Sequence, residues 1–376
     1  MDQDRSGFPA PGLPADMITP GTTAAPEAEP DELNELDKRI AVALQQDGRA
    51  SWRSIASSLE VSVGTVARRG QRLLNDGVVR VVATLALGAV GPQSVFFIRI
   101  NCAPGTQFTV AAQVAENPRI RFCTLVTGTY DIMAEFIAPG PATENARSLV
   151  DLQRIPGIVK WRSDLIMHVH KMGYDWGKQV IEAAGTPELP VPADLPEPAP
   201  PICSPAHFDE IDRAVVSALA ANGRESFSAI AADLDINESS VRRRFERLRS
   251  SRCVDIVTLV PSSALGMEAE TLMDVTVAPA RLHAVADVLA ALPAVRYLAV
   301  LLDSNTLLCE IIAPTVETLY AFVTTTLAEL DGVEGWTANM ELLYLKRGYV
   351  ESPWWRAEPR SGAGPGRAEN PDPVRG

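Results

Sequence analysis

The chain has 376 residues, 46% of them hydrophobic, and a formal net charge of −13, a size that allows two to four packed domains. No run of about 18 uncharged apolar residues is present to span a bilayer, and no basic segment leads into an apolar core as a secretory signal would; a cytoplasmic protein is expected. Five cysteines without a CxxC pair predict reduced thiols over a disulfide framework or a zinc ribbon.

Residues 1–31 carry Pro, Gly, Ala and acid with no apolar period, and are expected to be a disordered tail. From Leu36 the pattern changes. Leu36, Ile40, Ala43 and Leu44 form one helical stripe, and Asp47-Gly48-Arg49 stops it. Ser51 is placed to cap a second helix carrying Ile55, Ala56 and Leu59, and Ser62 a third that runs through Leu73. Three short helices with a tight turn between the last two predict a helix-turn-helix domain over 32–82. The period then falls toward two. Strands are expected at 95–101, 120–127, 131–138 and 158–170, with helices near 106–116 and 142–153. That order, βαββαβ, is a ferredoxin-like sandwich over 93–175.

The Pro-rich run 182–206 reads as a linker, and beyond it the chain repeats itself. Asp212 follows Asp37 at the shift that also relates Arg224 to Arg49 and Val241 to Val66 (212 − 37 = 175). A second helix-turn-helix domain is expected over 207–257, with Ser226 and Asn237 as caps. A second ferredoxin-like domain over 270–351 has strands near 271–278, 295–302, 306–313 and 334–345 and helices near 281–291 and 316–329. A polar tail covers 358–376. The fold class is therefore α+β, two repeats of a three-helix head followed by a sandwich. An open sheet face needs a cover, so the sandwiches are expected to pair.

Charge is unevenly placed. The tail and linker are acidic, while arginines concentrate in each third helix, and local field decides where a polyanion docks. Val66, Gly70 and Leu73 form the inward stripe of the first such helix, matched by Val241, Phe245 and Leu248. Beside it lie Ser62, Gly64, Thr65, Arg68, Arg69 and Arg72, and in the second copy Asn237, Ser239, Ser240, Arg243, Arg244 and Arg247. Hydroxyls near a helix start and guanidiniums along its flank suit a major groove, where Arg reads guanine or holds phosphate. Gly70 stands where the second copy has Phe245, and Glu238 and Glu246 interrupt the second set, so the two readers should differ.

The run LDKRIAVALQQDGRASWRSIASSLEVSVGTVARRGQRLLNDGVV resembles the DNA-binding head of the Lrp/AsnC regulators, through its LD start, DGR turn, IA pair and S-x-x-T-V-x-R-R segment. The sandwich is similar to that family's effector-binding, oligomerising domain. The resemblance implies two fused protomers, an intramolecular pseudo-dimer able to join larger homo-oligomers. It also implies double-stranded DNA with an imperfect palindromic operator as partner, and a small effector such as an amino acid. It further implies effector contacts at Gly128, Thr129, Tyr130 and Asp131, although these residue types also make an ordinary hairpin turn. In the second copy Asp303-Ser304-Asn305-Thr306 keeps neither Gly nor Asp in register.

Other features lead less far. His168 and His170 share one strand face, but their counterparts are Leu343 and Leu345 and no acid partner is evident in sequence, so neither metal nor cofactor is expected. Trp161 and Trp336 recur in register as packing residues. No nucleophile elbow, P-loop or dinucleotide fingerprint occurs, and no enzyme activity is expected. The alternative is a sirohaem decarboxylase of the same architecture, which resembles these regulators but carries a Phe-Pro-rich start to the second helix and a His/Arg-bearing strand that handles substrate carboxylates. Here those segments read Asp47-Gly48-Arg49-Ala50-Ser51-Trp52 and Arg121-Phe122-Cys123-Thr124-Leu125-Val126.

Overall fold

The computed structural model describes residues 32–86, 93–178, 203, 205–303 and 305–352. The acidic tail 1–31, the tail 358–376 and most of the Pro-rich run lie outside them.

The first head comprises α1 (Glu35–Gln46), α2 (Trp52–Leu59) and α3 (Val63–Asn75). Asn34, Ser51 and Ser62 cap them by accepting backbone N–H bonds, which satisfies donors a helix start otherwise leaves open. Ile40, Leu44, Ile55, Val66 and Leu73 fill the space between the helices, each burial stabilising by roughly 1.5–3 kcal/mol. Strand β1 (Arg80–Leu85) follows, a β-branched run the helical reading passed over.

Next come β2 (Gln93–Cys102), α4 (Gln107–Glu116), β3 (Ile120–Thr127), β4 (Ile132–Pro139), α5 (Ala142–Gln153) and β5 (Ile158–Met172). A second helical group contains α6 (Glu210–Ala221), α7 (Phe227–Asp233) and α8 (Glu238–Ser250), then β6 (Val254–Leu259). Asp209 and Ser226 cap α6 and α7, but Asn237 makes no side-chain bond at the start of α8, contrary to expectation. The remaining elements are β7 (Ala269–Val277), α9 (Leu282–Ala291), β8 (Val295–Leu301), β9 (Thr306–Ala313), α10 (Val316–Ala321), β10 (Val333–Arg347) and β11 (Val350–Glu351). The helix expected to 329 becomes π-wound over Phe322–Leu327.

The sheets do not stay separate. Strands pair in the order β11-β10-β3-β4-β2-β5-β8-β9-β7, and β10 also pairs with β7. The expected two open sheets are thus one closed, antiparallel barrel, because closure removes every edge and covers each inner face. The long strands make the junctions. Leu165 and residues before it in β5 pair with β2, while Ile166 to Met172 pair with β8. Likewise β10 pairs first with β7 and then, from Met340, with β3. Helices α4 and α5 cover one side and α9 and α10 the other, over separate apolar cores.

The heads touch each other directly. Strands β1 and β6 pair antiparallel, Val82 opposite Val257. Arg49 donates to the carbonyls of Gly223 and Glu225 at 2.6 and 2.9 Å, and Arg224 donates to those of Gly48 and Ala50 at 2.5 and 2.9 Å. Each guanidinium also stacks on an aromatic ring of the opposite head, Phe227 or Trp52, at 4.4 Å. The glycines of both turns serve this approach: a Cβ on Gly48 would lie 2.9 Å from Ile256 of the second head, and one on Gly223 2.8 Å from the Val81 backbone of the first.

Two expectations are corrected. Cys203 and Cys253 form a disulfide, with Cα atoms 4.9 Å apart, a proximity invisible in their 50-residue separation. Trp161 packs at the edge of the first sandwich core, whereas Trp336 is 48% exposed. Gly70 also acquires a reason. A Cβ there would lie 2.4 Å from the Trp52 ring, and the second head fills the same space with Phe227 and Phe245, ring centroids 5.4 Å apart. Gly70→Phe should therefore cost about 1–3 kcal/mol by overpacking, and adding Trp52→Phe should recover most of it. Urea unfolding of both variants checks this; no recovery would mean the two pairs are not interchangeable.

Candidate nucleic-acid interface and barrel cavity

The arginines of the third helices divide into two kinds. Asp37 is 1% exposed, and it accepts from Arg69 at 3.0 Å, Arg72 at 2.6 Å and the Asn34 amide at 2.7 Å. Asp212, equally buried, accepts from Arg244 at 2.8 Å and Arg247 at 2.6 Å. Arg244 also reaches Asp209, and Arg247 the His207 carbonyl. These four arginines fasten the third helix of each head to the first. A buried carboxylate needs such partners, so these arginines have a structural role besides the DNA contacts expected of them, and Arg72 and Arg247 keep 50% and 44% of their side chains exposed.

Arg68 and Arg243 differ: both are exposed and have no ion pair among the described residues. Around Arg68 stand Ser62, Gly64 and Thr65. Ser62 Oγ accepts from the Thr65 N–H at 3.2 Å and lies 2.8 Å from its hydroxyl. Gly64 has nothing within 4 Å of a built Cβ, so packing does not demand a glycine there. Around Arg243 stand Asn237 and Ser239, exposed, and Ser240, partly exposed. Arg242 is tied to Glu238 at 2.9 Å.

Inside the barrel lies a small cavity of about 50 Å³. Its lining pairs up at the 175-residue shift: Arg121 with Arg296, Glu135 with Glu310, Phe122 with Tyr297 and Tyr174 with Tyr349, the last beside the cavity next to Gly348. Arg121 pairs with Glu135, which also accepts from the Tyr297 hydroxyl at 3.0 Å, and Arg296 pairs with Glu310. The symmetry ends at Arg347, whose counterpart is Met172. Arg347 binds Glu270 at 2.7 Å, Glu310 at 3.1 Å and Glu341 at 3.2 Å. The counterparts of Glu270 and Glu341 are Val95 and Ile166, so an apolar trio in one half is a charged trio in the other.

Burial pushes Glu270 up, but Arg347 and Arg296 outweigh it and hold it at about 2. Burial and then Glu270 push Glu341 up to about 7. Below about pH 7 the folded protein keeps a proton on Glu341 that the unfolded chain gives up near 4.5, so stability falls as pH rises between those values. Glu341→Gln should flatten that fall, by on the order of 2–3 kcal/mol. Thermal unfolding at pH 5 and pH 8 tests it; an unchanged pH dependence would place the proton elsewhere.

The loop expected to hold an effector is at the seam. Gly128 has φ +118 and a Cβ on it would lie 2.8 Å from Asn339 Oδ1, which accepts from the Thr129 N–H at 3.0 Å. Asn101 donates to the Thr129 carbonyl, and Asp131 accepts from the Cys102 N–H at 2.8 Å. Tyr130 is partly buried, 6.0 Å from the Arg99 guanidinium. Arg99 bridges Asp164 and Asp274, the latter being its own counterpart at the 175-residue shift. Sequence reasoning missed this network, although the Arg-to-Asp exchange between repeats was its signal.

Residues 33–74 and 208–249 match the AsnC-type helix-turn-helix domain, and residues 95–176 the Lrp/AsnC ligand binding domain. The uncharacterized HTH-type transcriptional regulator PH0140 of Pyrococcus horikoshii is 30% identical over 150 residues, which is 40% of this chain and 95% of that protein. The chain belongs to the Lrp/AsnC family. Another similar member is the HTH-type transcriptional regulator FL11 of the same organism, 28% identical over 37% of this chain and 92% of its own. Each of these relatives matches about two-fifths of the chain, so this Lrp/AsnC member, with two heads, exceeds them in length. At the level of fold it is similar along most of its length to the crystal structure of the siroheme decarboxylase NirDL: TM-score 0.52, 14% identity, covering 86% of this chain and 96% of that one. No helix among the described residues is long and apolar enough to cross a membrane.

Proposed function

We propose that this Lrp/AsnC regulator works in the cytoplasm as an intramolecular pseudo-dimer whose two heads bind adjacent half-sites of an imperfect palindromic operator. The observation that carries the reading is the matched, wholly or partly exposed row Ser62, Gly64, Thr65, Arg68 and Asn237, Ser239, Ser240, Arg243, each in the first turns of a third helix that Arg69 and Arg72, or Arg244 and Arg247, fasten to the first. Because β1–β6 and the reciprocal Arg49 and Arg224 bonds join the heads, their spacing is preset. Half-sites should lie about one helical turn, roughly 10 bp, apart or at a multiple of it. The differing residues of the two rows support unequal half-sites.

A small amine-bearing effector, an amino acid in the simplest case, is assigned to Gly128, Thr129, Tyr130 and Asp131. One Asp131 oxygen is engaged by Cys102, and the other takes no bond among the described residues. Since this loop bonds Asn339 across the seam, an effector there would favour one packing of the barrel and so one state of DNA binding or homo-oligomer assembly. Mapping bound genomic sites, then titrating the full chain onto duplexes with one or two half-sites and varied spacing, tests the reading. Equal affinity for one and two half-sites would end it.

The likeness in fold to NirDL favours a second reading, a decarboxylase acting on a sirohaem-like tetrapyrrole. The barrel cavity of about 50 Å³ is too small for such a ligand, since pockets for ligands of drug size and above occupy roughly 300–1,000 Å³, and a cleft of about 310 Å³ beside Ser262, Glu268 and Tyr344 is the place of that size. Incubation with sirohaem and a search for carboxylate loss distinguishes the two.

A further inference from the structure

The chain has four histidines, and three of them meet at one point of the barrel wall. His168 and His170 lie two residues apart on β5, where bulges on either side interrupt its pairing with β8. Their rings stand edge to face with centroids 4.6 Å apart, and the His283 ring is 5.9 Å from that of His170. His283 and Asp287 come from α9, one turn apart, with Nε2 of the histidine 3.5 Å from a carboxylate oxygen. Ligand atoms of His170, His283 and Asp287 all lie within 4.8 Å of one another. The acid partner that the sequence order hides is therefore supplied from the other half of the molecule.

We propose that His170, His283 and Asp287, with His168 as an available fourth ligand, form a binding site for a first-row divalent transition ion of the zinc and nickel type. Imidazole nitrogens with one carboxylate select such ions over Mg²⁺ and Ca²⁺, which prefer oxygen alone. Bonds of about 2.0–2.2 Å to a tetrahedral ion bring donors to roughly 3.4 Å from one another. The His283 side chain is 80% exposed, free to close the remaining distance.

The internal repeat supplies a control. At the 175-residue shift the four positions are Leu343, Leu345, Phe108 and Ala112, and not one can bind a metal. All four ligand residues are present at one seam and absent together from its equivalent, which packing requirements common to the two seams do not explain. The ion would tie α9 of the second half to β5 of the first at the place where β5 leaves β2 for β8. Metal supply would then act on barrel closure independently of any effector at the Gly128 to Asp131 loop.

The test uses the full chain, stripped with chelator and titrated calorimetrically with Zn²⁺ at pH 7.5, beside His283→Ala and His168→Leu/His170→Leu, the latter copying the other seam. One ion per chain is expected, with at least tenfold weaker binding in both variants and a zinc-dependent rise in Tm confined to the parent. Because His283 is at the surface, its replacement leaves the fold intact. Co²⁺ absorption separates this site from His207 and the Cys203–Cys253 pair, which also cluster: a thiolate charge-transfer band would report those cysteines in chains whose disulfide has been reduced. Absence of binding, equal affinity in parent and variants, or cobalt bound only with that band would each overturn the assignment.

Discussion

Replacing Arg68 and Arg243 together by alanine should lower affinity for specific duplex DNA by at least a hundredfold while leaving Tm within a degree or two. Each guanidinium contacting a base or phosphate contributes about 1–3 kcal/mol, and two such losses on jointly held heads add. Neither side chain has an ion pair among the described residues, so neither removal strands a buried charge. The salt dependence should flatten as well, the slope of log K against log salt falling by about two. Fluorescence anisotropy from 50 to 200 mM salt reads both quantities. Unchanged affinity would remove these helices from the interface.

The opposite pattern is expected for Arg69→Ala/Arg72→Ala. Asp37, 1% exposed, would keep only the Asn34 amide and its own helix as partners, and an uncompensated buried charge costs about 3–5 kcal/mol. Stability should drop by that amount, with DNA binding lost through the head and not through missing contacts. Adding Asp37→Asn should restore much of the stability, because the stranded charge is gone. Chemical unfolding of the three variants decides it, and a loss that Asp37→Asn does not relieve would show that the arginines matter for something other than this carboxylate. Arg244, Arg247 and Asp212 provide the same comparison in the second head.

These two results separate residues that the sequence makes look alike. Helical periodicity located all three helices of each head, because Ile40, Leu44, Val66 and Leu73 recur at the spacing burial requires. It could not tell Arg68 from Arg69, since neighbours on a helix flank share composition, and only the position of Asp37 on another helix distinguishes them. Strands β2 to β5 and β7 to β10 were legible from their alternating and continuous apolar runs. Their joining into one barrel was not, because the pairing of Ile166 with Leu301 is set by contacts between halves that no local pattern records. The clasp of Arg49 and Arg224 was half visible: the repeated Gly-Arg turn was read as a helix stop, when its glycines make room for the opposite head. At Gly128 the residue type was informative, and its cause, Asn339, lay 211 positions away (339 − 128 = 211).

The midway change of partner in β5 has a consequence during synthesis. When the ribosome has finished Met172, the segment from Ile166 onward has no neighbour, and β8 begins only at Val295 (295 − 172 = 123). At about 5–20 residues per second this leaves the strand end waiting for roughly 6–25 s. An unpaired edge is an invitation to aggregate, and His168, His170 and Lys171 punctuate this one with polar and cationic groups among its apolar residues. Slowed translation of the second half, or depletion of chaperones, should therefore reduce the yield of intact protein more than it would for a chain whose first half closes on itself.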